Sequence, residues 1–127
     1  MKIQHVFFNA DPAAPYCDLT ICEDKYLFLS GLVSQDLGSG NMLYGDITFE
    51  TKNILNNLAA ILEKYGSDLD HVIRCQVLLK TFAEKTMMNV EYVKHFNPER
   101  MPARLCFGDV GLADECKIEI MATAIRK

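Results

Sequence analysis

Arg104 and Glu119 are charged side chains set inside otherwise apolar, strand-like runs, with Cys106 between them in the sequence. The runs read Met-Pro-Ala-Arg-Leu-Cys-Phe-Gly-Asp from Met101 and Lys-Ile-Glu-Ile-Met-Ala-Thr-Ala-Ile from Lys117. An arginine offers a planar fork of donors that matches a carboxylate held at two points. A glutamate within hydrogen-bond reach of a water molecule can act on it as a general base. Cysteine is a potential nucleophile, but no histidine lies near Cys106 in sequence to activate it, and most buried cysteines are inert small hydrophobes.

The positions of these three follow from the two-residue period of a strand. In the first run Ala103, Leu105 and Phe107 share one face; Arg104, Cys106 and Gly108 share the other. In the second, Ile118, Ile120, Ala122 and Ala124 share a face, while Lys117, Glu119, Met121 and Thr123 point away. If the apolar faces pack on one core, Arg104, Cys106 and Glu119 project together from the opposite side of a sheet. Arg104 is then open to two roles: anchoring a carboxylate ligand, or an ion pair with Glu119 or with an acid of another subunit. Glu119 is similarly open, as a water-holding base or as a counter-charge to Arg104 or Lys117.

The preceding chain supplies the elements that position this pair. Ile3 to Phe8 is a first strand, ended by a loop through Pro12 and Pro15, where fixed φ and missing N–H groups break the ladder. Tyr16 closes that loop and by itself reads as a core-rim aromatic with a wet hydroxyl. Asp18–Cys22 and Lys25–Ser30 flank a Glu23-Asp24 turn as a hairpin. Gly31 then allows close backbone approach or marks a bulge. Residues 33–45 predict an irregular, mobile loop. Asp46 caps a helix to about Tyr65, with Ile47, Ile54, Leu55, Leu58, Ile61 and Leu62 as its apolar stripe and Gly66 as its stop. Val72–Leu79 reads as a central strand. Thr81 and Glu84 have the spacing of a capping box, opening a second helix to about Phe96 with Met88, Tyr92 and Phe96 inward. Pro98 and Pro102 end it. The order β-β-β-α-β-α-β-β predicts an α+β fold, one domain over residues 1–127, with a mixed sheet and two helices covering one face only. The other face, holding Gln76, Met121 and Thr123 besides the three chemical residues, is too apolar for comfortable solvation. It points to oligomerisation, with ligand pockets at the seams.

Composition narrows the classes. The chain has 127 residues, half of them apolar, which suffices for one real core. A formal charge of −4 without a basic block argues against a dedicated nucleic-acid surface. No apolar run is long enough to cross a membrane. Met1-Lys2-Ile3-Gln4-His5 lacks a signal-peptide pattern, and five cysteines without paired spacing predict free thiols in the cytoplasm. No cysteine or histidine spacing suits a metal.

Pro102-Ala103-Arg104, Cys106 and Glu119-Ile120 resemble the C-terminal signature of the RidA family, also called YjgF or L-PSP. Ala14-Pro15-Tyr16, Leu29-Ser30-Gly31, Gly45-Asp46, and Asn89 with Tyr92 and Phe96 extend the match over nearly the whole chain. The resemblance implies a chorismate-mutase-like fold and a homotrimer with three clefts between subunits. It implies hydrolysis, without cofactor or metal, of small enamines and imines such as 2-aminoacrylate to 2-oxo acids and ammonia. Arg104 would anchor the substrate carboxylate and Glu119 would hold water. Tyr16, Ser30, Gly31 and Cys106 would line the substrate pocket, Cys106 mainly through its backbone. Cys17, Leu32, Tyr44 and Leu105 depart from the family pattern, so the pocket lining, and with it substrate choice, is expected to differ. A non-catalytic carboxylate-binding or holdase-like protein is the alternative, and the endoribonuclease activity attached to the family name is a third.

Overall fold

Each helix of this fold is the crossover of a β-α-β connection. The computed structural model describes all 127 residues. Its strands are β1 (Ile3–Val6), β2 (Leu19–Cys22), β3 (Tyr26–Leu29), β4 (Val72–Leu79), β5 (Ala103–Phe107) and β6 (Ile118–Ile125). Its helices are α1 (Ile47–Lys64), between β3 and β4, and α2 (Lys85–Tyr92), between β4 and β5. The sheet order is β1-β2-β3-β6-β4-β5. Only β4 and β5 run parallel among neighbours, and β6 lies antiparallel between β3 and β4. Two crossovers of the usual hand put both helices on the same side. The other side carries no layer of this chain. No helix is long and apolar enough to cross a membrane.

The covered side holds the core. Every residue of the expected α1 stripe is buried, and Met88, Tyr92 and Phe96 face inward as their spacing requires. They meet Leu27, Leu29, Val72, Cys75, Val77, Leu79, Ile118, Ile120, Ala122 and Ala124 from the sheet. Asp46 caps α1 by accepting a hydrogen bond from the Phe49 amide at 2.8 Å, and Gly66 stops it with φ +83°. All five cysteines are free.

Three expectations are corrected. The second helix is shorter: α2 is flanked by single 3-10 turns at Phe82–Glu84 and Val93–His95, and Thr81 makes no capping bond. The Phe82 amide is instead taken by the Asp109 carboxylate at 3.0 Å, a partner too distant in sequence to be seen by local spacing. Strand β1 ends at Val6 rather than Phe8 because the next amides turn to a side chain. One oxygen of the buried Asp18 carboxylate accepts from Phe8, Asn9 and Ala10 at 2.8, 2.9 and 2.8 Å. The loop over residues 33–45 is irregular but tied down. Asn53 and Asn57 of α1 donate to the Gln35 carbonyl, and the Ser34 hydroxyl donates to the Leu43 carbonyl.

The buried Glu50 likewise holds two separate segments, accepting from the Gly45 and Lys117 amides at 3.1 and 3.0 Å. Deleting such an acceptor strands donors that water reaches poorly, which costs about 1–3 kcal/mol for a buried group. Asp18→Ala is therefore expected to lower unfolding free energy by about 2–3 kcal/mol, read as a drop in the urea midpoint at unchanged slope. A midpoint equal to the parent's would show that the Phe8–Ala10 amides are not held by Asp18.

Candidate active site

Glu119, on the uncovered side of the sheet, lines two neighbouring spaces. The first is a cleft of about 400 Å³ lined by Phe8, Tyr16, Ser30, Gly31, Leu32, Asn57 and Glu119, among others. The second is a groove of about 260 Å³ that shares Gly31 and Glu119 with the cleft. Four of the residues singled out by sequence, Tyr16, Ser30, Gly31 and Glu119, are thus brought together.

Local structure explains how. The loop tethered by Asp18 carries Tyr16 to the cleft rim, where it is 57% exposed. The Ser30 hydroxyl donates to the Cys17 carbonyl at 2.6 Å and ties the end of β3 to that same loop. Beyond β3, Leu32 pairs with Ile120 of β6, so Leu29, Ser30 and Gly31 oppose only Met121 and Ala122. The chain bulges at Gly31, directly beside Glu119, and a β-carbon on residue 31 would overlap the Glu119 carboxylate. Close approach and bulge, the two readings of this glycine, both hold.

The Glu119 side chain is half-buried and makes no hydrogen bond or ion pair within the chain. Burial alone pushes its carboxyl above the ordinary value of 4.5. A partly desolvated acid without a structural partner, aimed into a cleft, is the environment that tunes a carboxyl for proton work.

Arg104 lies elsewhere, which corrects the expectation that it shares a face with Glu119. Register places Arg104 opposite Cys75 and Cys106 opposite Val77, both buried on the helix side. Glu119 instead lies opposite Leu78, whose other neighbour is Phe107. In β5 the apolar Leu105 and Phe107 therefore point to the uncovered side, while Arg104 and Cys106 turn toward α2. The cause is the edge position of β5. There the arginine lies against Tyr92 and Asn89 of α2, and the small thiol packs at the margin of the core. Cys106 packs against the core and lines neither space.

Arg104 is partly buried and closely held. Its guanidinium carbon sits 4.9 Å from the Tyr92 ring centroid, and Nη1 donates to Asn89 Oδ1 at 2.7 Å. No carboxylate of the chain pairs with it, so the ion-pair reading fails within one copy. Burial pushes up the neighbouring Tyr92 phenol and Cys75 thiol, so both stay neutral beside the cation. The neutral Asn89 orients the fork without consuming its charge. Asn89 entered the sequence reading only through the family match, and Tyr92 through that match and the inward stripe of its helix; their contact with Arg104 needed the parallel β4–β5 pairing. The histidines serve other partners: His71 pairs with Asp68 and His95 with Glu91, while His5 lies near Cys17.

Comparison with known proteins agrees with this architecture. The family model described as Endoribonuclease L-PSP matches residues 8–126. A RutC family protein of Pyrococcus horikoshii is 34% identical over 91% of this chain and 90% of its own length. A human protein named 2-iminobutanoate/2-iminopropanoate deaminase is 30% identical over 88% of this chain and 80% of its own. The crystal structure of a YjgF family member from Neisseria meningitidis superposes with a TM-score of 0.83 at 26% identity, covering 100% of this chain and 97% of that one.

The contact between residue 31 and Glu119 can be tested directly. Gly31→Ala is expected to keep the fold, since the overlapped atoms belong to the end of a flexible side chain, and to swing the carboxylate out of the cleft. A displacement of this kind costs about 100-fold in any reaction for which Glu119 positions the reactant. A crystal structure of the variant with Glu119 unmoved would remove Gly31 from the site.

Proposed function

Since the chain belongs to the Endoribonuclease L-PSP family, we propose that it hydrolyses reactive 2-imino acids to 2-oxo acids and ammonia, at sites shared between copies in a homotrimer. The observation that carries this reading is a pair of unsatisfied charges. Arg104 is oriented but lacks an acid, and Glu119 is desolvated but lacks a base, and they face opposite sides of one sheet. One copy cannot bring them to the same ligand. A second copy packed on the uncovered face can present its Arg104 to the first copy's Glu119. The exposed apolar side chains of that face, Phe28, Leu105, Phe107 and Met121, support such packing.

The chemistry asks little of the protein. Arg104 holds the substrate carboxylate by its fork. Glu119 orients a water molecule against the carbon of the C=N bond and accepts its proton as the C–O bond forms. The proton passes to nitrogen, the C–N bond of the resulting carbinolamine breaks, and ammonia leaves as the carbonyl forms. Placement of water and substrate in one cleft supplies most of the acceleration. Tyr16, Ser30 and Gly31 wall the cleft in this reading, and Cys106 acts through the backbone of β5. No histidine joins the cleft, so RNA cleavage by an imidazole acid–base pair has no support in the geometry.

Subunit mixing tests the shared site. Arg104→Ala and Glu119→Gln proteins, each inactive alone, are unfolded together and refolded. Random assembly should restore roughly a quarter of the parental sites. Zero recovery from demonstrated mixed oligomers would assign both residues to sites within single chains and end the proposal. Acidity gives a second check. A protonated Glu119 cannot accept a proton, so kcat falls as pH falls. Burial holds this carboxyl above 4.5, and bound substrate neutralises Arg104, so the acid limb should have its midpoint above that value. A midpoint at or below 4.5 would exclude Glu119 as the base.

A further inference from the structure

Tyr92 brings a polar atom into the core that packing does not need. The residue is 2% exposed, and the Phe96 ring stands 4.9 Å from its own, holding it in place. The Tyr92 hydroxyl is buried with the ring and has no hydrogen-bond partner. A phenylalanine would fill the same space without stranding a hydroxyl, and a stranded hydroxyl weakens the fold. Two groups lie beside it: the Cys75 thiol and the Arg104 guanidinium. Cys75 stands opposite Arg104 across the β4–β5 pair, so the three meet under α2. Burial keeps the thiol neutral, and sulfur is a poor hydrogen-bond partner. The guanidinium has five N–H donors, of which the chain engages one, from Nη1 to Asn89.

Resting on the anchoring role of Arg104 proposed above, we infer that the Tyr92 hydroxyl is a positioning group: it accepts an N–H of Arg104 Nη2 when a carboxylate ligand draws the fork into line. Each terminal nitrogen of the guanidinium carries two hydrogens. Nη1 gives one to Asn89 and one to the ligand. Nη2 gives one to the ligand and one to the phenol oxygen. The guanidinium carbon already sits 4.9 Å from the Tyr92 ring centroid, so a short slide along the ring brings Nη2 to that oxygen. Phe96 keeps the ring from following. The phenol stays neutral, as burial dictates, and turns its own proton toward the Cys75 sulfur.

Such an arrangement separates affinity from stability. In the free protein the hydroxyl is a burden, since it is desolvated and unpaired. In the complex it is paired with a charged donor, one of the stronger kinds of hydrogen bond. Its contribution therefore appears on ligand binding and not on folding. Held by Asn89 at one end and Tyr92 at the other, the fork meets the carboxylate in a fixed direction, which sets where the rest of the ligand lies.

Tyr92→Phe is the test, with Arg104→Ala as its reference. Tyr92→Phe should weaken the binding of 2-oxobutanoate, followed by NMR titration, about tenfold, the worth of one hydrogen bond to a charged group. KM for 2-iminobutanoate, generated in place from threonine by a dehydratase, should rise by a similar factor at unchanged kcat, because water at Glu119 is untouched. The melting temperature should equal or exceed the parent's. Parental affinity in Tyr92→Phe, with binding lost in Arg104→Ala, overturns this inference alone. So does a melting temperature that falls with the affinity, which assigns the hydroxyl to the core. Parental affinity in Arg104→Ala, or no binding by the parent, overturns the anchoring role as well.

Discussion

Two helices cannot cover both sides of a six-stranded sheet, and the site depends on how the chain resolves that shortage. Both crossovers pass over one side, where Leu, Ile and Val side chains seal against α1 and α2. The other side keeps Phe28, Leu105, Phe107 and Met121 exposed around Glu119. A monomer gains nothing from such a face, and its apolar area makes it a natural contact surface. The same shortage produces the separation of charges. At the edge strand β5, an arginine packs under α2. On the face without helices, a glutamate borders the cleft.

The sequence made the order of elements and the α1 stripe legible, because each depends on spacing within a few residues. Ile118, Ile120, Ala122 and Ala124 show the strength of such a pattern in a central strand, where alternation decides which side is buried. In β5 the same rule misled. Ala103, Leu105 and Phe107 look like a core face, yet an edge strand of one short run can turn either side inward. The packing of Arg104 on Tyr92 decided the matter. Long-range satisfaction was equally hidden. Nothing near Thr81 announces that Asp109 will take the Phe82 amide, and nothing near Phe8 announces that Asp18 will end β1. The family resemblance did identify Glu119, Tyr16, Ser30 and Gly31 as neighbours, and the fold assembles all four in one cleft.

Three carboxylates show what sets Glu119 apart from the other buried acids. Asp18 and Glu50 are more deeply buried, but each spends its charge on backbone amides: three for Asp18, two for Glu50. Those bonds replace the water that the carboxylates lost, so their burial joins segments of the chain. Glu119 has lost part of its water and received nothing in return, and its carboxyl is raised accordingly. A fold that needed only stability would remove this group or supply it with a donor. Instead, Gly31 omits even a methyl group so that the carboxylate can remain, and the adjoining bulge keeps the backbone from pairing over it. Unrelieved desolvation beside a glycine that makes room for it has no structural purpose within one copy. A group entering the cleft, from a ligand or from a second copy, would relieve it.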